Sequence, residues 1–114
     1  SVRIPKFEEG DFIKYENNIL QVKDIGKNRV VAINLENDKK HTIPWKDTEE
    51  IEVVKKEEDI ETTSIISKSP TTIQILDPVD YSVIDLEIKE STENAQIGDE
   101  VKIIKINNYV YLLN

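Results

Sequence analysis

Cysteine and methionine are both missing from this chain of 114 residues, and histidine and tryptophan occur once each, as His41 and Trp45. Without thiols there are no disulfides, no thiolate metal sites and no cysteine nucleophile, and nothing points to an oxidising compartment. Zinc would find a single imidazole, so no metal or other cofactor is expected. No apolar run is long enough to span a bilayer, and no leader with a charged start and apolar middle is present; a cytoplasmic protein with no membrane partner is expected. With no methionine and an opening "SVRIPKFEEGD", the chain reads as a piece of a longer product.

The chain is rich in charge, and the charge is segregated. The formal net charge is −8. Residues 1–56 hold eleven Lys or Arg against eleven Asp or Glu, whereas residues 57–114 hold four lysines against twelve acids. A phosphate-bearing partner would therefore meet the first half, since the second repels it at long range.

Apolar periodicity throughout is that of strands. "GDFIKYE", the asparagine pair at 17 and 18 and "ILQVKDI" read as a hairpin; "GKN" at 26–28 turns into "RVVAINL", with Gly26 expected to supply a left-handed conformation. "ENDKK" leads to "HTIPW", where Pro44 belongs at an edge or strand end, then a short helical turn at "KDTEE" and a fifth strand, "IEVVKK". Beyond the charged run "KEED", five more strands are expected in "TTSIISKS", "TTIQILD", "YSVIDLEIK", "DEVKIIKIN" and "YVYLL". Leu76, Ile84, Leu86 and Ile88 are expected to face one side, packed by Val101, Ile103 and Tyr111. The fold class is all-β: two small barrels in tandem, SH3-like over 1–56 and OB-like over 57–114, the latter with its helix shortened or absent. "GDFIKYENNILQVKDI" and "GDEVKIIKINNYVYLL" share a Gly-Asp opening and an Asn-Asn turn. Convergent hairpin chemistry is favoured over internal duplication, because any hairpin selects these residues.

Catalysis is not expected. Asp77, Asp80 and Asp85 lack any sign of the burial that separates carboxylate pKa values, and Asp77 before Pro78 reads as an Asx turn. "DPVDYSVID" has no glycine for a cation loop, no glycine-rich phosphate cradle exists, and His41 has no strained nucleophile turn to serve. Trp45 and the tyrosines at 15, 81, 109 and 111 are either stacking platforms for bases or packing residues. The basic turns are the candidate site: Lys27 with Arg29, Lys39 with Lys40 and His41, and Lys46. They matter if one end of the barrel gathers them.

Three pieces, "R-x-P-x-F-x-x-GD" from Arg3, "LDP-x-x-Y" from Leu76 and "GDEV" from Gly98, resemble the carboxy-terminal region of the Nmd-three family, the large-ribosomal-subunit assembly and export adaptor, and most of all its archaeal branch. The resemblance runs over nearly the whole chain. It implies SH3-like and OB-like barrels similar to translation factor five-A, on the intersubunit face of the large subunit near the tRNA exit site, with a zinc-binding domain upstream. The export signals of eukaryotic members lie in a later tail, so an export role does not carry over. In factor five-A the corresponding turn is a long loop whose lysine becomes hypusine; "GKN" is shorter and holds only Lys27, so no such modification is expected. The expected function is non-catalytic binding to ribosomal RNA and protein of the large subunit, with no small-molecule substrate. A structural module that positions other domains of a larger protein is the alternative.

Overall fold

A computed structural model describes residues 6–113, so Arg3 and Pro5 of the resemblance lie outside the described residues. The chain divides into two compact units, 1–58 and 59–114. Ten strands and three 3-10 turns make up the regular structure of the described residues.

In the first unit, β1 (Phe12–Tyr15), β2 (Asn18–Ile25), β3 (Arg29–Asn34) and β4 (Lys40–Pro44) follow one another as an antiparallel meander, and β5 (Glu52–Lys55) returns to pair with β1. The sheet order is β4-β3-β2-β1-β5. Ile13, Leu20, Val22, Val30, Ala32 and Ile43 form its core, closed by Phe7 and Ile51. Strict alternation along "LQVKDI" would carry Asp24 into that core. A bulge prevents it: the register passes from Val22 opposite Ala32 to Asp24 opposite Val31, leaving Lys23 unpaired, so Ile25 turns inward instead. Pro44, without an amide donor, ends the edge strand β4 as expected.

Two turn assignments change. The β1–β2 turn is made by Glu16 and Asn17, at φ 49° and 63°, while Asn18 already pairs with Tyr15 in the strand. Gly26 does not take a positive φ; Gly10 and Gly98 do, at 92° and 91°. The reason is the hydrogen bond from the Gly26 N–H to the Arg29 carbonyl at 2.9 Å, which closes the turn without a left-handed residue at 26.

The second unit contains β6 (Glu61–Lys68), β7 (Thr72–Leu76), β8 (Val83–Glu87), β9 (Glu100–Ile106) and β10 (Tyr109–Leu113), in the order β10-β9-β6-β7-β8. The outer strands β8 and β10 approach one another, so the sheet curls toward closure. Between β8 and β9 stands one 3-10 turn, Glu90–Thr92. Ile84, Leu86, Ile88, Val101 and Ile103 do face the core, but Leu76 and Tyr111 do not. Residues directly opposite in an antiparallel pair share a face. Ile73 and Ile75 lie opposite Leu86 and Ile84, so they take the inward positions of β7; Leu112 lies opposite Ile103, which turns Tyr111 to the other side with Ile104. A bulge at Ile66 in β6 brings Lys68 opposite Ile73. There the Lys68 stem covers the barrel end while its ammonium donates to the carbonyls of Glu93 at 3.0 Å and Ala95 at 2.5 Å.

Candidate nucleic-acid interface

Each basic candidate is placed by the β2-β3-β4 ladder. Lys27 occupies the turn before β3 and Arg29 begins that strand, with Arg29 opposite Pro44 at the far end of β4. The ladder continues past Pro44, where the Trp45 N–H reaches the Asn28 carbonyl at 3.2 Å and the Trp45 indole N–H reaches the Gly26 carbonyl at 3.0 Å. Lys46 follows at once on the 3-10 turn Trp45–Glu50. Lys27, Arg29 and Lys46 thus share one end of the unit, all exposed. Trp45 is their clamp: its indole N–H is held by Gly26, which fixes the half-buried ring beside these cations.

Lys39 and Lys40 stand at the opposite end. Lys40 lies opposite Ile33, four residues along β3 from Arg29, which at the strand rise is about 13 Å. Salt screens exposed charges over about 8 Å under physiological conditions, so the two groups act separately. His41 leaves both. It lies opposite the core residue Ala32, and so belongs, half-buried, to the inward face, while Lys40 and Arg29 belong to the outward one. A linear count gathers these five residues because strand ends recur close together in sequence, but consecutive turns of a meander fall at alternate ends.

Acids border both ends, Asp47, Glu49 and Glu50 following Lys46 on its 3-10 turn. Glu36 and Asp38 sit in the turn that carries Lys39, and that turn is stiff: Asn34 accepts the Glu36 N–H at 2.9 Å, Asn37 accepts the Lys39 N–H at 2.9 Å, and Asp38 has φ 61°. Gly26–Asn28 contains no acid. On the adjoining 3-10 turn, Asp47 accepts the Tyr15 hydroxyl at 3.3 Å; burial first, and the Asp47 charge second, push that phenol up to about 12. The side chains of Lys27, Arg29 and Lys46 make no hydrogen bond or ion pair among the described residues, so these cations are available to a ligand.

Two other cations are engaged by acids. Lys56 reaches both oxygens of the buried Asp11, at 3.1 and 3.0 Å, and that hydrogen bond raises its pKa. Lys105 holds Asp77 at 3.0 Å and Glu61 at 3.3 Å, and its pKa rises chiefly through the Asp77 hydrogen bond. Asp77 is an Asx turn, as its place before Pro78 suggests, accepting the Val79 N–H at 2.8 Å. It is also buried, which the sequence did not disclose. The Val79 N–H first, and Lys105 second, hold its carboxyl below the ordinary range. Asp80 and Asp85 are exposed, so the three acids form no buried pair.

No protein-family model matches the chain, and no curated protein matches it. Among solved structures, eukaryotic translation initiation factor 5A from Methanococcus jannaschii has the same fold over 99% of this chain and 91% of its own, with a TM-score of 0.62 and 21% identity. A translation initiation factor eif-5a family protein from Naegleria fowleri ATCC 30863 covers 96% of this chain and 92% of its own at a TM-score of 0.52 and 13% identity. The likeness extends through both sheets, and it identifies the fold of this chain as that of translation factor 5A, an SH3-like unit followed by an OB-like unit.

Proposed function

We propose that the chain is a ribosome-binding module of a large-subunit assembly or quality-control factor, similar to the Nmd-three family, that acts by occupying its site rather than by catalysis. The observation that carries this reading is the likeness, over nearly all of this chain, to solved structures of translation factors. The Gly26–Asn28 end of the first unit is the surface proposed to meet ribosomal RNA, with Lys27, Arg29 and Lys46 on phosphate. Lys39 and Lys40 form a weaker second contact, and His41 contributes nothing direct. The alternative, a scaffold for other domains, predicts no use for the free cations.

Sedimentation with purified large subunits across a salt series tests it. Three phosphate contacts give a steep dependence, and a triple change Lys27→Glu, Arg29→Glu, Lys46→Glu is expected to weaken pelleting strongly and, at the low salt where pelleting persists, to flatten the log–log slope by about 2 to 3. Lys39→Glu with Lys40→Glu is expected to weaken pelleting less. Equal retention of wild type and the triple variant at every salt concentration overturns the reading in favour of the scaffold.

A further inference from the structure

The β7–β8 turn is built to hold a fixed shape. The Asp77 N–H donates to the Ser82 carbonyl at 2.8 Å and the Tyr81 N–H to the Asp77 carbonyl at 2.9 Å. Asp80 accepts both the N–H and the hydroxyl of Ser82, at 2.9 and 2.7 Å, and Lys105 ties Asp77 to β9 at 3.0 Å. A turn so constrained loses little freedom on binding.

What it displays is apolar. Val79 is 72% exposed, Tyr81 73% and Val83 56%. Tyr81 has φ 61°, a backbone region that costs a residue with a side chain about 1–2 kcal/mol and suits glycine or asparagine. The ring, 73% exposed, packs too little to offset that cost. Constrained, solvent-facing apolar residues centred on a tyrosine have the form of an interface anchor.

The surrounding charge selects the partner. Val83, Asp85 and Glu87 alternate along β8 on one exposed face, so the apolar tip runs directly into two carboxylates. Asp80 flanks the tip, and Lys105 is occupied by Asp77 and Glu61. Residues 59–114 carry ten acids against four lysines. A phosphate backbone is repelled here, and so is a second copy with net charge −8. A lysine- or arginine-bearing protein segment with apolar side chains is matched on both counts.

We infer that the β7–β8 turn is a protein-docking tip, in which Tyr81, flanked by Val79 and Val83, inserts among apolar side chains of a basic protein segment whose cations face Asp85 and Glu87. It uses none of the proposed phosphate contacts, so it stands or falls separately from them.

The test is a titration of the full chain, followed by backbone amide shifts, with three probes: a peptide alternating lysine and leucine, one alternating lysine and glycine at equal charge, and oligouridylate. The lysine–leucine peptide is expected to shift Val79, Tyr81, Ser82 and Val83, and to bind more tightly than the lysine–glycine peptide. Tyr81→Gly and Tyr81→Asn, which both accept the positive φ, are expected to keep or raise the thermal midpoint and to weaken binding about tenfold or more. Asp85→Asn with Glu87→Gln is expected to reduce the salt dependence of binding. The inference is overturned if either Tyr81 variant binds the lysine–leucine peptide as wild type does. It is equally overturned if the two peptides bind alike, if oligouridylate moves the same amides, or if those amides shift with protein concentration alone.

Discussion

The two Gly-Asp openings, one per unit, use the same local bonds for different tertiary ends. In the first, the Glu8 N–H donates to Asp11 Oδ2 at 2.9 Å and the Asp11 N–H returns to the Glu8 carbonyl; in the second, Gln96 and Asp99 repeat both bonds. Gly10 and Gly98 each donate to a neighbouring strand and the following aspartate accepts from it. The strand differs. Gly10 bonds Val22 on β2, the hairpin partner of β1, whereas Gly98 bonds Ile65 on β6, which is not the hairpin partner of β9. The distance to the following turn differs too: Glu16 comes six positions after Gly10, and Asn107 nine after Gly98. An odd difference of three inverts the inward and outward faces of a strand, which favours convergence over duplication.

Burial separates the pair further. Asp11 is buried and takes Lys56, while Asp99 is exposed. Asp11→Ala removes the buried acceptor of the Glu8 N–H together with one partner of Lys56, and should cost about 2 kcal/mol, whereas Asp99→Ala should cost about 1 kcal/mol, as chemical denaturation will show. Equal costs would mean that local geometry, not burial, sets the value of the motif.

The glycines sharpen the same contrast. Gly98→Ala meets open space and should cost only its backbone strain, about 1–2 kcal/mol. Gly10→Ala carries that strain and also drives a methyl group into the Glu57 side chain, so it should cost more. Combining it with Glu57→Ala should bring the two glycine sites level. If the excess persists, the Glu57 contact is not its source.

Titration should divide the units by direction. Asp77 and Asp80 have carboxyls lowered from 3.8, Asp77 chiefly by the Val79 N–H and Asp80 chiefly by the Ser82 N–H. A lowered folded value stabilises the native state above the ordinary carboxylate pKa, and that contribution is lost as pH falls through the folded value. Acid should therefore loosen residues 59–114 at these turns. Tyr15, raised from 10.0 to about 12, contributes stability that is complete below pH 10 and lost between there and about 12, so alkali should loosen residues 1–58. Amide exchange resolved by residue across pH reads both limits. The smallest expected effect is Tyr15→Phe, about 1 kcal/mol from the lost hydroxyl bond to Asp47, with the alkaline loss of stability removed.

Much of the architecture was legible, because strand alternation and turn chemistry are local. All ten strands, the 3-10 turn at Trp45–Glu50, the edge placement of Pro44 and the Asx turn at Asp77 follow from residues within a few positions of one another. The misplaced residues share one cause. Alternation within a strand points Leu76 and Tyr111 inward, but the inward face is fixed by the partner strand, and a bulge elsewhere, at Lys23 or Ile66, shows how one unpaired residue resets that face. The candidate site was legible as a set of cations and not as a surface. Nothing in "DIGKNRVVAINLENDKKH" says that His41 turns inward or that Lys40 stands a strand's length from Arg29. The exposed Val79 and Val83 left a faint signal, alternation in "VDYSVID" that begins before the strand does.

By itself the sequence determined an all-β chain with its negative charge concentrated in the later residues, since composition and period-two patterning act without knowledge of partners. Only the tertiary structure decided which cations are free, which acids are buried and which apolar side chains remain in water. Those properties belong to pairs of strands remote in sequence, and register between such strands is settled by packing, not by either strand alone.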